Sequence, residues 1–226
     1  MNLIVFDIDG TLLNTTDVDS ECYQEALKDS FDIDISGFDW ENYTDVTDQG
    51  VTEDILKEHF KRLPMPSEMK KVEEKMCDLV ASKALNEPHK FLPADGIKNV
   101  LKQLLSQNEV GYTFATGAWK ASAEAKLSAL KMDLSSVPWE HSGPIRRRAD
   151  IVLSAIEKAK MKFGVESFED ICALGDGKWD LLTAQELGIN FVGVDLLKTG
   201  RLKELGSNEN INQYSDKQHI ESICFQ

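Results

Sequence analysis

The chain has 226 residues, of which 42% are hydrophobic and 28% charged, a balance typical of globular proteins and not of disordered ones. Its 39 acidic residues outnumber its 25 basic residues, and the net charge of −14 disfavours nucleic acids and anionic membranes as partners. No leader-like segment precedes the first strand, no apolar run approaches about 18 residues, and the cysteines form no paired motif. We therefore expect a cytoplasmic protein, long enough for one large domain or for a core with an insertion.

The first predicted element is a buried strand that ends in two carboxylates. Residues 3–6 form an apolar run, and residues 7–11 read Asp-Ile-Asp-Gly-Thr. Side chains two positions apart on an extended segment point the same way, so Asp7 and Asp9 are expected to share one pocket. Their charges repel, and a cation or a shared proton must offset them. On its own this stretch fits a strand-ending turn as well as a metal site.

A helical region follows. From residue 15 to residue 90, apolar residues recur at helical spacing in three stretches, and turns rich in glycine and proline separate them. No convincing strand pattern interrupts these stretches. We therefore predict a helical insertion over residues 15–90 and an α/β core made of residues 1–14 and 91–226.

Beyond residue 91, helix and strand patterns alternate. The predicted helices cover residues 97–105, 119–131, 149–163 and 181–187, and the predicted strands cover residues 110–115, 171–174 and 190–194. This alternation predicts right-handed crossovers and a mostly parallel sheet. Thr116 and Asp176 follow two of these strands, at the carboxyl-end edge where open α/β sheets bind their ligands.

Four motifs in order resemble those of the haloacid dehalogenase superfamily of hydrolases. They are Asp-Ile-Asp-Gly-Thr at 7–11, Phe-Ala-Thr-Gly at 114–117, Arg-Arg-Arg-Ala-Asp at 146–150 and Leu-Gly-Asp-Gly-Lys-Trp-Asp at 174–180. The helical insertion follows the first motif, where that family carries an α-helical cap. The resemblance implies a Rossmann-like parallel-sheet core with an inserted helical cap domain, and an activity similar to that of phosphoglycolate or sugar phosphatases.

The resemblance also implies roles for the carboxylates. Asp7 would attack phosphorus and form an aspartyl-phosphate, which splits one difficult displacement into two. Asp9 would protonate the leaving group and then deprotonate the attacking water. Mg²⁺ would be held by the carboxylates of Asp7 and Asp176 and by the main-chain carbonyl of Asp9.

The second and fourth motifs supply further candidate groups. Thr116, with the amides of Gly117 and Ala118 at a helix start, would bind phosphate oxygens, although Thr116 also fits an ordinary helix N-cap. Asp180 lies one helical turn beyond Asp176, where it would bind a water or anchor the cationic residue of the third motif.

The third motif departs from the family pattern of Lys-Pro-x-Pro-Asp. Counting back four positions from Asp150 selects Arg146 as the cation that holds the nucleophile and the phosphate, and Arg148 is the next choice. An arginine supplies the same charge as the lysine with a forked geometry. The alternative is a solvated basic turn ahead of a helix.

A polar loop at residues 44–52 of the helical insertion either faces the core and contacts the substrate or lies on the surface. If it faces the core, we expect Asp45 and Asp48 to disfavour a second phosphate on the substrate and to favour hydroxyl or amine groups.

The predicted function is that of a Mg²⁺-dependent phosphatase acting on a small phosphorylated metabolite. Asp9 argues against the dehalogenase branch, whose halide leaving group needs no proton. A phosphomutase shares the four motifs and differs only in the fate of the aspartyl-phosphate, but residues 15–25 lack the histidine typical of the β-phosphoglucomutase type. A non-catalytic phosphoacceptor or interaction scaffold is the alternative from another class.

Overall fold

The computed structural model describes residues 1–37, 40–43, 46–106 and 109–225. The strands are β1 (Leu3–Phe6), β2 (Leu13–Asn14), β3 (Leu92–Pro93), β4 (Gly111–Trp119), β5 (Trp139–Ser142), β6 (Ile171–Gly175), β7 (Asn190–Val194) and β8 (Glu209–Ile211). The α-helices are α1 (Thr16–Phe31), α2 (Asp48–Phe60), α3 (Pro66–Asn86), α4 (Ile97–Ser106), α5 (Lys120–Leu127), α6 (Arg148–Phe163), α7 (Lys178–Leu187), α8 (Arg201–Glu204) and α9 (Lys217–Cys224). Short 3₁₀ turns lie at Trp40–Asn42, Pro88–Lys90 and Ser128–Leu130.

A six-stranded parallel sheet forms the centre of the described structure, in the order β5-β4-β1-β6-β7-β8. Strand β1 lies inside this sheet and all four of its residues are buried, which explains why it is an uninterrupted apolar run instead of an alternating one. The predicted fold class, a Rossmann-like parallel α/β core, is confirmed.

The register of the central strands brings three of the four motifs together. Phe6, the last residue of β1, lies opposite Phe114 of β4 on one side and Leu174 of β6 on the other. The residues that follow these three positions therefore emerge side by side at the carboxyl-end edge of the sheet.

The neighbourhood of the second motif differs from the prediction. Strand β4 runs on to Trp119 because it pairs with β5, which the sequence patterns did not reveal. The register shifts between Thr116 and Trp119, so the Thr-Gly pair lies in an irregular part of the strand and not at the start of α5. Strand β5 contains a glutamate and a histidine among its four residues and gives no apolar run to detect.

Residues 15–90 contain helices α1, α2 and α3 and no strand among the positions described. These helices share a hydrophobic cluster to which Trp119, at the end of β4, also belongs. The short antiparallel pair of β2 and β3 lies where the chain enters and leaves the helical insertion. The division into a core and a cap domain stays a prediction.

None of the helices in the described ranges is long and apolar enough to cross a membrane. The cytoplasmic location stays a prediction.

Gly96, which precedes α4, lies directly against the main chain of Tyr214. Its φ is +82°, and a Cβ there would overlap the main-chain carbonyl of Tyr214. Gly37 has a similar φ of +81°, with nothing within 4 Å of an added Cβ. We expect Gly37→Ala to cost about 1–2 kcal/mol of backbone strain and Gly96→Ala at least about 1 kcal/mol more, from overpacking. Urea unfolding of both variants measures this difference, and equal losses would contradict the packing described.

Candidate active site

A cavity of about 70 Å³ opens at the carboxyl-end edge of the sheet, under the helical insertion. Its lining includes most of the residues predicted from the motifs, namely Asp7, Asp9, Thr116, Gly117, Ala118 and Asp176, together with Arg148. It also includes Asp19 and Asp48, which the motifs did not indicate. Asp180 does not line this cavity but contacts Arg148, which does.

Asp7 lies directly after β1 and is 7% exposed. Its main-chain N–H donates to the carbonyl of Leu174 at 3.0 Å, which continues the pairing with β6 and fixes the direction of its side chain. Nη2 of Arg148 donates to Oδ1 of Asp7 at 2.8 Å. Burial raises the pKa of Asp7 well above its usual range, and repulsion from Asp180 adds to this, while Arg148 opposes it.

Asp7, Asp176 and Asp180 form an acidic cluster in which one oxygen of each carboxylate lies within 4.8 Å of the others. Asp176 comes this close to the chain after β1 because Gly10 has no side chain, and a Cβ at Gly10 would overlap the carboxylate of Asp176. Burial, followed by repulsion from Asp180 and Asp9, raises the pKa of Asp176 to about 8.

The acidic cluster fits a hard divalent cation. Oxygen donors are the ligands that such cations take, and the single guanidinium of Arg148 does not offset three carboxylates. Both carboxylate oxygens of Asp180 already accept hydrogen bonds. Its Oδ1 accepts from Nε of Arg148 at 2.8 Å, and its Oδ2 accepts from the N–H of Gly177 at 3.0 Å. Asp7 and Asp176 are thus better placed to hold the ion, with Asp180 orienting Arg148.

Asp9 is not a member of this cluster, and its carboxylate has other partners. Its Oδ1 accepts from the hydroxyl of Thr15 at 2.6 Å, and its Oδ2 accepts from Nζ of Lys126 at 2.8 Å. Lys126 is fully buried on α5 and also pairs with Asp19 of α1. The sequence analysis missed Lys126, because lysine is rarely fully buried and its pairing with carboxylates far along the chain leaves no local signal.

The structure corrects the position expected for the third-motif cation. Arg148 contacts Asp7 and Asp180, whereas Arg146 pairs with Glu53 at 2.9 Å and Asp54 at 2.8 Å on α2. Arg148 faces the sheet because it opens α6 and shares a helical face with the buried apolar residues Ile151, Val152 and Ala155. Arg146 precedes the helix and does not lie on this face. The sequence prediction used only the distance of Arg146 from Asp150 and not the helical periodicity.

The residues of the second motif contact one another and Arg148, and their predicted phosphate contacts stay a prediction. Thr116 is buried, and its hydroxyl accepts from the N–H of Ala118 at 3.1 Å, so this amide already has a partner. At Gly117 a Cβ would lie 2.6 Å from Nη1 of Arg148 and 2.8 Å from the carbonyl of Val46. Glycine is needed there because the arginine and the helical insertion both approach the strand closely.

The described part of the polar loop at 44–52 contacts the core. Nη1 of Arg148 donates to the carbonyl of Val46 at 3.1 Å, and the hydroxyl of Thr47 donates to the carbonyl of Arg146 at 2.7 Å. Asp48 is buried and accepts from the N–H of Trp119 at 2.8 Å. Thr44 and Asp45 lie outside the described residues, and the expected effect of this loop on a second phosphate stays a prediction.

Comparison with known proteins identifies the family. The family model described as haloacid dehalogenase-like hydrolase matches residues 4–194. The chain belongs to this family. The predicted membership and the enzyme class, a hydrolase, are therefore confirmed.

Several solved structures share the fold of this chain at low sequence identity. A hydrolase from Pseudomonas syringae has a TM-score of 0.73 and 20% identity, covering 99% of this chain and 100% of that chain. A HAD hydrolase of family IA, variant 3, from Entamoeba histolytica has a TM-score of 0.65 and 20% identity, with coverages of 94% and 93%. CbbY from Rhodobacter sphaeroides, solved in complex with phosphate, has a TM-score of 0.64 and 16% identity, covering 93% of each chain. None of the curated proteins compared with the chain matches it significantly.

The acidic cluster predicts stabilisation by a divalent cation. Mg²⁺ at about 100 times its dissociation constant should stabilise the folded protein by about 2.7 kcal/mol, because it binds the folded carboxylates and relieves their repulsion. Asp176→Asn should lose most of this gain, and Asp133→Asn, at an exposed position, should keep it. Thermal unfolding with and without Mg²⁺ measures the effect, and an equal gain in both variants would show that the ion binds elsewhere.

Arg146 and Arg148 provide a matched pair of variants that tests which arginine is the cation beside Asp7. Arg148→Met should destabilise the protein by about 3–5 kcal/mol, because it leaves two buried carboxylates without their partner. Arg146→Met should cost no more than about 1 kcal/mol, since its side chain is 34% exposed and its partners are similarly solvated. Urea unfolding compares the variants, and the reverse order would restore Arg146 as the cation beside Asp7.

Proposed function

We propose that the protein is a Mg²⁺-dependent phosphatase that hydrolyses a small phosphomonoester through an aspartyl-phosphate on Asp7. The observation that carries this proposal is the separation of two neighbouring carboxylates into two environments. Asp7 lies in the acidic cluster with a guanidinium on one oxygen, whereas Asp9 is held outside that cluster and still lines the cavity. One carboxylate is thus suited to attack, and the other to transfer protons.

In the first step an oxygen of Asp7 forms a bond to phosphorus, the bond from phosphorus to the leaving oxygen breaks, and Asp9 donates a proton to that oxygen. In the second step Asp9 takes a proton from water, the water oxygen attacks phosphorus, and the bond between phosphorus and the Asp7 oxygen breaks. Asp9 is protonated again and inorganic phosphate is released, so the enzyme returns to its starting state.

Arg148 holds Asp7 for the attack. Nη2 of Arg148 donates to Oδ1 of Asp7, which directs the other carboxylate oxygen towards the phosphoryl group. The positive charge of Arg148 also favours binding of the anionic substrate. Thr116, on the cavity wall, offers a hydroxyl to a phosphoryl oxygen. Mg²⁺, held by Asp7, Asp176 and the main-chain carbonyl of Asp9, would neutralise charge on the phosphoryl oxygens.

The cavities support a small substrate. The site cavity of about 70 Å³ adjoins a second one of about 230 Å³, and Thr16, Trp40 and Trp179 line both. The phosphoryl group would occupy the first cavity, and the leaving group would extend towards the second. CbbY, which shares the fold, was solved with phosphate, and this supports a phosphorylated ligand for this chain.

Turnover of para-nitrophenyl phosphate tests the proposal. We expect steady-state release of phosphate that a chelator abolishes and Mg²⁺ restores. Asp7→Asn should lower kcat by at least about 1,000-fold because the nucleophile is gone. The exposed Asp133→Asn variant should match the wild type.

Other outcomes separate the alternatives. Equal phosphate release by wild type and Asp7→Asn would refute the proposal. Isomerisation of a sugar phosphate without net release would favour a phosphomutase. A single stable phosphorylation without turnover would favour a phosphoacceptor.

A further inference from the structure

Lys126 is a fully buried lysine that the mechanism above does not use. Its side chain has no exposed surface, and its Nζ pairs with Asp9 at 2.8 Å and also with Asp19. Burial opposes its charge, but Asp19, Asp9 and Asp48 outweigh this and raise its pKa, so it is an ammonium. A buried ion pair contributes less stability than apolar residues of similar volume often would. Stability alone therefore gives little reason for a lysine at this position.

The ammonium connects three parts of the chain behind the cavity. Lys126 comes from α5, Asp9 follows β1, and Asp19 lies on α1 in the helical insertion. Asp9 and Asp19 both line the cavity, whereas Lys126 does not. It therefore lies where it would act on the substrate only through its partners.

The contacts of Asp9 show what Lys126 does to it. Thr15 holds Oδ1 and Lys126 holds Oδ2, so the rotation of the carboxylate is fixed from both sides. The acidic cluster is made of Asp7, Asp176 and Asp180, and the carboxylate of Asp9 takes no part in it. A fourth carboxylate free to turn would be drawn to a cation bound there, and it would then no longer face the leaving group.

We propose that Lys126 is a positioning residue that keeps the carboxylate of Asp9 aimed at the leaving group and apart from the acidic cluster, with Asp19 holding Lys126 in place. This inference rests on the proposed phosphatase activity.

The effect of Lys126 should depend on the leaving group. A nitrophenolate leaves without protonation, whereas an alkoxide needs the proton from Asp9. Lys126→Met keeps the volume and removes the charge. We expect it to lower kcat/KM by roughly 10- to 100-fold for an alkyl phosphate and by less than about 3-fold for para-nitrophenyl phosphate. Asp9→Asn should show the same dependence more strongly.

Lys217 provides a matched control. It is also a buried lysine, and it pairs with Glu109 at 3.0 Å and Glu221 at 3.2 Å, away from the cavity residues. Lys217→Met should lower thermal stability without changing the ratio of kcat/KM between the two substrates. If Lys126→Met does not fold, Asp19→Asn decides the question, because it keeps the lysine side chain and its pairing with Asp9 but removes the charged partner that holds the lysine. That variant should shift the ratio in the same direction.

The outcomes separate this inference from the proposed function. No turnover of either substrate by the wild type would refute the phosphatase. A working wild type with equal losses on both substrates in Lys126→Met, or with no loss, would overturn the positioning role and leave the phosphatase intact. A selective loss on the alkyl phosphate supports the role.

Discussion

Repulsion among buried carboxylates is the constraint on which the site depends. Asp7, Asp176 and Asp180 converge where β1 and β6 end, in a chain that already carries a net charge of −14. Carboxylates at this distance stay ionised only with compensating charge nearby. The structure supplies part of this charge with Arg148, and the remaining negative charge makes the cluster suitable for a divalent cation.

Two buried cations each pair with a different pair of carboxylates. Arg148, from α6, holds Asp7 and Asp180, and Lys126, from α5, holds Asp9 and Asp19. Both cations also reach the helical insertion, Arg148 through the carbonyl of Val46 and Lys126 through Asp19. The position of the insertion and the electrostatics of the core are therefore coupled, since moving the insertion would remove one partner from each cation.

Close backbone approaches make this arrangement possible. At Gly10 the main chain makes room for Asp176, and at Gly117 for Arg148 and the helical insertion. At Gly175 an added Cβ would overlap Asp180. These glycines belong to the motifs because a larger residue would push a charged group away from its partner. Solved structures with the same fold have identities near 20% to this chain, so the fold is compatible with very different sequences.

The sequence by itself determined the alternating core, the helical character of residues 15–90 and the carboxylates at the ends of β1 and β6. Hydrophobic periodicity and motif spacing are local properties, and a parallel sheet brings the carboxyl ends of its strands to one edge. Only the tertiary structure decided which arginine faces Asp7, that β5 extends the sheet, and that Lys126 holds Asp9. Arg148 and Asp7 are 141 positions apart, and Lys126 and Asp9 are 117 positions apart. Such pairings follow from how whole elements pack, because the partner of a buried charge is set by the helix face that meets the sheet and not by its neighbours along the chain.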